Sequence, residues 1–585
     1  MDGYFNPPWV HEEFQRSKVS LSAHRKKHNN KENIHEKFKF VSLLNVCAEK
    51  RDLIEGIKLH NDIITRRLLF LEKSPYLVSA LISMYAKCGI LAKAHHVLDE
   101  LLNRNVVSWN ALITGYAQQG PYNEALNCFE RMRNESLSPD AVTLTCVLNA
   151  CGSLGLIEKG EKIHAEVASK GLLSDNVVLG NAIVGMYVKC GVLEKAREVF
   201  DELPVRNAIT WNALLSGYAQ NRLGDEALSF FALMQDEGFP PNVVTFLCAL
   251  SACISIGSLE KGEEIHVEIK KKDGLLENNA SLGNALVDMY TKCGAIKKAQ
   301  EVFDGLSVKD VISWTSLISG YTIHGLSEEA LKCYAKMQDE GIMPDVVTYA
   351  CVLKACGSIG SVDKGEEIHG EVHNKGLLKD NIMLGNALVD MYSKFGMLEK
   401  AYRVFDDLPF YDVVSWNVLL SGYAQLCEVK KAFISFNKMK SEGLMPDAVT
   451  FAVLLTACSH AGLIQDGQMY FDIMTDVYCL NPTLEHYICM VHLFSQAGHF
   501  DKALSVIRAM PCSHYPVLWL ALLRACREWG NVKLAIFAFD QTVELDSSCA
   551  AAYVLMSNIF ISVGMQEDAE KVRLQYAAVL RSGDM

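Results

Sequence analysis

One octapeptide recurs four times and constrains this chain more than any other feature. Val106-Val-Ser-Trp-Asn-Ala-Leu-Ile returns as Ala208-Ile-Thr-Trp-Asn-Ala-Leu-Leu, Val311-Ile-Ser-Trp-Thr-Ser-Leu-Ile and Val413-Val-Ser-Trp-Asn-Val-Leu-Leu. Its tryptophans, Trp109, Trp211, Trp314 and Trp416, stand 102, 103 and 102 residues apart. A second marker, Ile163-His164, returns as Ile265-His266 and Ile368-His369, and more loosely as Leu59-His60. Self-similarity at a fixed period is the mark of an array of stacked units.

Each period divides into three related units, of 35 residues (106–140), 36 (141–176) and 31 (177–207). Every unit reads as two amphipathic helices. In the first, Val107, Leu112 and Ile113 lead to Gly115-Tyr116, a turn holds Gly120 and Pro121, and Glu124-Ala-Leu opens a second helix with Phe129 and Met132 at helical spacing. Pro139, Pro241, Pro344 and Pro446 punctuate the ends of equivalent second helices. A lone hairpin of this size cannot bury its apolar faces, so neighbours must stack. The periodicity predicts an all-α fold, a right-handed superhelical solenoid of helical hairpins.

Composition removes several alternatives. The 585 residues are 50% hydrophobic and 21% charged, as in an ordinary packed protein. No apolar run approaches the roughly 18 residues of a membrane span. Nineteen cysteines are dilute and odd in number, which points to free thiols rather than a disulfide scaffold. The 56 Lys+Arg against 69 Asp+Glu leave a net charge of −13. The first forty residues hold eight Lys/Arg against five Asp/Glu, so the remainder carries −16, which is −13 minus +3. A nucleic-acid partner would have to be drawn by a local basic strip or by helix ends, with modest salt dependence.

Hairpins of 35, 36 and 31 residues cycling in that order resemble the pentatricopeptide repeat proteins of the PLS subclass. Tetratricopeptide repeats hold a single length of about 34 residues, and HEAT units are longer. By this resemblance, 37–514 is a repeat solenoid. Its L-type units are 37–74, 141–176, 243–279, 346–381 and 448–482. The S-type units are 75–105, 177–207, 280–310 and 382–412, and the P-type units are 106–140, 208–242, 311–345 and 413–447. A divergent S-like unit follows at about 484–514. Within 515–580, Val517-Leu-Trp-Leu-Ala-Leu-Leu-Arg-Ala-Cys526 and Tyr553-Val-Leu-Met-Ser-Asn-Ile-Phe560 resemble the paired E-type motifs of organellar RNA-editing factors. Residues 581–585 are read as a tail. The resemblance leads us to expect no DYW-type cytidine deaminase domain and no enzymatic activity in this chain, with a deaminase or other editing factor acting in trans.

The resemblance also implies which residues read RNA. In this family the fifth and last residues of P- and S-type units face one base each. Those pairs are Ser79/Asn105, Asn110/Asp140, Asn181/Asn207, Asn212/Asn242, Asn284/Asp310, Thr315/Asp345, Asn386/Asp412 and Asn417/Asp447. Side-chain amides, hydroxyls and carboxylates offer different donor and acceptor sets to a base edge, and one base per repeat is an established mode of reading. By the family's code, Asn/Asp favours U, Asn/Asn a pyrimidine, Thr/Asp G and Ser/Asn A. The expected RNA is 5′-A-U-n-Y-Y-n-U-G-n-U-U, with L-type units left blank. The second residues Val107, Val178, Ile209, Ile312, Met383 and Val414 would wedge between bases, whereas Ser281 departs from that pattern. The competing explanation for the pairs is helix capping copied by duplication.

Other motifs are read as packing. His164-Ala-Glu166, His266-Val-Glu268 and His369-Gly-Glu371 spell half of a zinc deaminase signature, but no two cysteines stand in the Cys-x-x-Cys spacing of the other half. Cys146/Cys151, Cys248/Cys253 and Cys351/Cys356 recur with the period, as small core residues would. No catalytic, cofactor-binding or metal-binding residue is expected. Residues 1–36 lack periodicity and are read as a disordered or targeting segment, although Asp2, Glu12 and Glu13 sit poorly with an acidic-poor transit peptide. The expected role is sequence-specific single-stranded RNA binding in mitochondrial, or alternatively chloroplast, C-to-U editing, with no membrane partner. RNA stabilisation or splicing, and a tetratricopeptide-like protein scaffold, are the alternatives.

Overall fold

The computed structural model describes residues 30–66, 75–101, 104–173, 176–272, 274–276, 278–379, 381–510 and 515–583. Among these there are thirty-two α-helices and no strand. They form two compact units that divide at Lys272. Within each, helices pair as antiparallel hairpins, and the first helix of one repeat packs on the first helix of the next. None of the described helices is long and apolar enough to cross a membrane.

Local chemistry explains the hairpin. Asn105 caps the helix Val106–Gln119, its side chain accepting from the Ser108 amide while the Ser108 hydroxyl accepts from the Asn105 amide. That reciprocal pair satisfies two donors that would otherwise be stranded at a helix start. The helix ends at Gly120, whose φ of 108° is a left-handed conformation that a side chain would strain. Pro121 then precedes the second helix, Tyr122–Asn134, as the sequence leads one to expect. The same plan repeats along the chain.

The recurring tryptophans form the joints between repeats. Trp109, Trp211 and Trp416 are fully buried and Trp314 nearly so. Phe200, Phe303 and Phe405, from the second helix of the preceding 31-residue unit, meet Trp211, Trp314 and Trp416 edge-on at centroid distances of 4.7, 4.6 and 4.7 Å. Edge-to-face pairs of this kind add about 0.5–1.5 kcal/mol beyond area burial. Repeats also need close approach. A Cβ built on Gly217 would fall 2.8 Å from Val188 Cγ1, so the glycine lets two first helices touch.

Boundaries differ from expectation at both ends. The first described helix is Asn30–Lys50, so the repeat array starts inside the 1–36 segment read as disordered or targeting. Its Lys- and Glu-rich start has helix propensity without apolar periodicity, and so gives no amphipathic signal. Residues 1–29 lie outside the described residues. At the other end, 515–580 folds as two hairpins, Pro516–Trp529 with Val532–Leu545 and Ala550–Ser562 with Gln566–Gly583. The last helix thus takes in three of the residues read as a tail, while 584–585 lie outside the described residues.

Candidate nucleic-acid interface

The expected reader positions converge where consecutive first helices meet. The last residue of a unit caps the next first helix, and the fifth residue of the preceding first helix reaches it. Asn110 Nδ2 lies 2.9 Å from both carboxylate oxygens of Asp140. Asn212 donates to Asn242 Oδ1 at 3.1 Å, Asn284 to Asp310 Oδ1 at 3.1 Å and Asn417 to Asp447 Oδ1 at 3.0 Å. Asn181 reaches Asn207 Oδ1 at 3.4 Å. Five of the eight pairs are therefore joined by a direct hydrogen bond.

A hydroxyl completes each of these five junctions. The third residue of the following helix donates to the oxygen of the fifth-position amide. Thr210, Thr245, Ser313 and Thr450 reach Asn181, Asn212, Asn284 and Asn417 at 2.6, 2.7, 2.6 and 2.7 Å. Thr143 bonds Asn110 in the same way. Sequence reasoning missed this residue, although the repeat register places Ser or Thr third in every P- and L-type unit from 106 to 450.

Three pairs are set differently. Thr315 Oγ1 lies 2.6 Å from Thr348 Oγ1, which lies 2.7 Å from Asp345 Oδ1, so a hydroxyl relays between the two readers. Asn386 and Asp412 are not joined by a hydrogen bond. There the Ser415 hydroxyl turns to Asp412 Oδ1 at 2.8 Å, and Asn386 Oδ1 is buried without a partner. Ser79 donates to its own helix, at the Tyr76 carbonyl 3.0 Å away, and the Ser108 hydroxyl donates to the Asn105 carbonyl at 2.8 Å.

Capping is real at all eight terminal residues, from Asn105 to Asp447. Each accepts from the backbone amide three residues on, as Asn242 does from Thr245 at 3.1 Å and Asp447 from Thr450 at 2.8 Å. The cap uses one side-chain atom. At Asp310, Asp345 and Asp447, Oδ1 takes the cap bonds and no hydrogen bond from the described residues reaches Oδ2. At Asn207 and Asn242 the amide nitrogen is the atom left over. The cap thus uses one side of these side chains and leaves the other unbonded, whereas at Asp140 the second oxygen accepts from Asn110. Burial works to raise the pKa of Asp310 and Asp447. The amide and hydroxyl donors of Ser313 and Thr450, with Asn284 and Asn417, outweigh it and hold both carboxyls below their ordinary value.

In six units the second residue presents an exposed aliphatic side chain. Val107, Val178, Ile209, Ile312, Met383 and Val414 are all exposed, Ile209 by 65%. Second and fifth residues lie three apart, so they share one helix face. The second residues Val142, Val244, Val347 and Val449, left out of the sequence reading because L-type units were treated as blank, are exposed as well, as is Tyr76 of the first S-type unit.

The periodic histidines pack across the repeat. His60, His164 and His369 place Nδ1 2.7, 3.0 and 2.8 Å from the hydroxyls of Tyr85, Tyr187 and Tyr392, on the first helix of the next unit. The glutamates two residues on meet the preceding unit instead: Glu166 bonds Arg133, Glu268 accepts from Gln235 at 2.5 Å, and Glu371 accepts from Tyr334 at 3.5 Å as well as from Tyr349 of its own unit at 3.0 Å. Cys151, Cys253 and Cys356 are buried in first helices.

Four stretches, 104–153, 206–255, 309–358 and 411–460, match the PPR repeat family model. Seven more, 76–106, 142–172, 181–207, 284–311, 347–377, 386–410 and 485–514, match the PPR repeat. The chain belongs to the pentatricopeptide repeat family. Pentatricopeptide repeat-containing protein At2g33680 of Arabidopsis thaliana is 38% identical over 634 residues, covering 90% of this chain and 86% of that one. The chloroplastic family member At1g15510 of the same plant is 34% identical, covering 92% of this chain, which spans 61% of its length. The mitochondrial member At3g09040 is 35% identical and is spanned to 52%. Among solved structures, the pentatricopeptide repeat protein PPR10 from maize aligns with a TM-score of 0.54 at 20% identity, covering 98% of this chain and 82% of that chain. PPR10 in complex with an 18-nt psaJ RNA element aligns with a TM-score of 0.55 at 17% identity, covering 93% and 84%. These likenesses establish the same repeat solenoid fold.

Proposed function

We propose that this pentatricopeptide repeat protein is a sequence-specific single-stranded RNA-binding protein that recognises a site for organellar C-to-U editing, with deamination supplied in trans. The observation that carries the reading is the atom left over by the caps at Asn207, Asn242, Asp310, Asp345 and Asp447. An aspartate cap presents a carboxylate oxygen, which accepts from a ring N–H, as at N3 of uracil or N1 of guanine. An asparagine cap presents an amide N–H, which donates to the bare ring nitrogen of cytosine or adenine. The second letter of the code then follows from elementary donor and acceptor matching. The RNA bound by PPR10, a protein of the same fold, supports the choice of partner.

The fifth residue adds a neighbouring contact, and the exposed second residues separate bases by stacking on their faces. Aromatic stacking is worth about 1–3 kcal/mol per base, and aliphatic contact is worth less. Chloroplast and mitochondrial labels on relatives support an organelle, and a mitochondrion is our reading. The two hairpins from Pro516 to Gly583 would recruit the deaminase. The edited C would lie four nucleotides beyond the base under 484–514.

Deleting 515–585 tests the trans role. Editing of the target should be lost while the shortened chain still binds the RNA. Retained editing overturns recruitment through these hairpins. Loss of the transcript itself, rather than of its editing, assigns the protein to RNA stabilisation or splicing instead.

A further inference from the structure

The third-residue hydroxyl follows reader pairs and skips the blanks. Each of the eight first helices that a reader pair precedes has Ser or Thr third. Where an L-type unit precedes, the third residue is Leu77, Leu179, Leu282 or Leu384, each fully buried, and in the divergent unit at 484–514 it is His486, so none carries a hydroxyl. A cap alone does not require the hydroxyl, because Asn176 accepts from the Leu179 amide at 3.1 Å without one.

We propose that this hydroxyl is a positioning residue for base reading. By where its single proton goes, it decides whether the fifth-position side chain offers RNA a donor or an acceptor. The inference rests on the base-reading function above. At Asn417, the Thr450 hydroxyl lies 2.7 Å from the amide oxygen and 2.8 Å from Asp447 Oδ1. At Asn212, the Thr245 hydroxyl lies 2.7 Å from the amide oxygen and 3.1 Å from Asn242 Oδ1. The amide oxygen has no proton to give the hydroxyl in return, and Asp447 Oδ1 already accepts from the Thr450 backbone amide and from Asn417. The hydroxyl proton therefore goes to the amide oxygen, which turns inward and leaves an N–H of the amide for the base.

At Thr315 the proton runs the other way. Thr348 stands between Thr315, 2.6 Å away, and the Asp345 carboxylate, 2.7 Å away. A charged acceptor makes the stronger bond, so Thr348 gives its proton to Asp345 and takes that of Thr315. Thr315 is left with lone pairs, beside a carboxylate that also only accepts. Two adjacent acceptors match guanine, whose N1–H and 2-amino group are adjacent donors. They mismatch uracil, whose N3–H is flanked by carbonyl oxygens on both sides.

The test reads base preference of the full chain at the nucleotide under 311–345, with that position randomised. Thr348→Val removes the hydroxyl and keeps the backbone cap bond to Asp345, so the Thr315 hydroxyl is released to donate to uracil. The preference for G over U should fall roughly two- to tenfold, the worth of one hydrogen bond, with the other positions unchanged. Thr348→Ser should keep it. A second measurement needs no variant: inosine lacks the 2-amino group, so replacing that guanosine with inosine should weaken binding by a similar factor. Equal binding of inosine and guanosine, or an unchanged preference in a folded Thr348→Val chain, overturns the proposal. Thr315→Asn separates the two claims. If it moves the preference to U while both other measurements fail, base reading stands and the positioning role falls. If it moves nothing, base reading fails and the proposal falls with it.

Discussion

Asn417 and Asp447 are thirty residues apart in sequence and 3.0 Å apart in space, joined by an amide-to-carboxylate hydrogen bond at the junction of two helices. One partner is the fifth residue of a repeat and the other its last. Asp447 also caps the next helix through Thr450. Structure and proposed recognition therefore share a side chain, and the predictions separate the two roles.

Asn417→Thr, with Asp447 retained, should move the base read at 413–447 from U toward G. Thr450 would then sit between two oxygens as Thr348 does. Selection from an RNA pool randomised at that position measures the shift, and an unchanged preference for U removes the code at this repeat.

Asp447→Asn and Asp447→Ala should part company. Asparagine caps as well as aspartate, so Asp447→Asn should keep stability and move U toward C. Alanine loses the cap, at about 1 kcal/mol, and offers the ring nitrogen nothing, so discrimination between U and C should vanish. Thermal unfolding and binding to U- and C-containing RNAs measure the two effects.

Ile209→Ser should weaken RNA binding severalfold and leave the melting temperature unchanged, because Ile209 is 65% exposed and fills no core. A fall in stability without loss of affinity would place the residue in packing instead.

The His60 and Tyr85 pair should make the first repeats sensitive to pH. Burial first, then the nearby Lys93 and His96 charges, push the His60 pKa down from 6.5 to about 4. The unfolded chain takes up the proton near pH 6.5 and the folded chain does not. Stability is therefore full above that value, falls as pH drops toward 4, and is flat below. The loss is on the order of 3 kcal/mol at most. Urea unfolding at pH 7 and pH 5 should show it, and His60→Gln should flatten it.

Much of the architecture was legible because it repeats. The four tryptophans set the period, and the Gly120-Pro121 turn and the prolines placed the hairpins where the structure has them. The eight pairs proposed to read bases were named from the family resemblance together with the register. What register does not carry is proton direction. Asn386/Asp412 and Asn417/Asp447 are the same residue pair, yet Asn417 is bonded and Asn386 Oδ1 is left unpartnered, because Thr450 reaches Asn417 as well as Asp447 where Ser415 reaches Asp412 and not Asn386. Nor could amphipathic periodicity find the polar start of the helix at Asn30.

The most direct measurement is binding of the full chain to 5′-AUNYYNUGNUU and to a scrambled RNA of equal composition, at low and physiological salt. The account predicts preference for the ordered sequence at both, with only modest weakening as salt rises. Equal, weak binding to both RNAs that disappears with salt would contradict it.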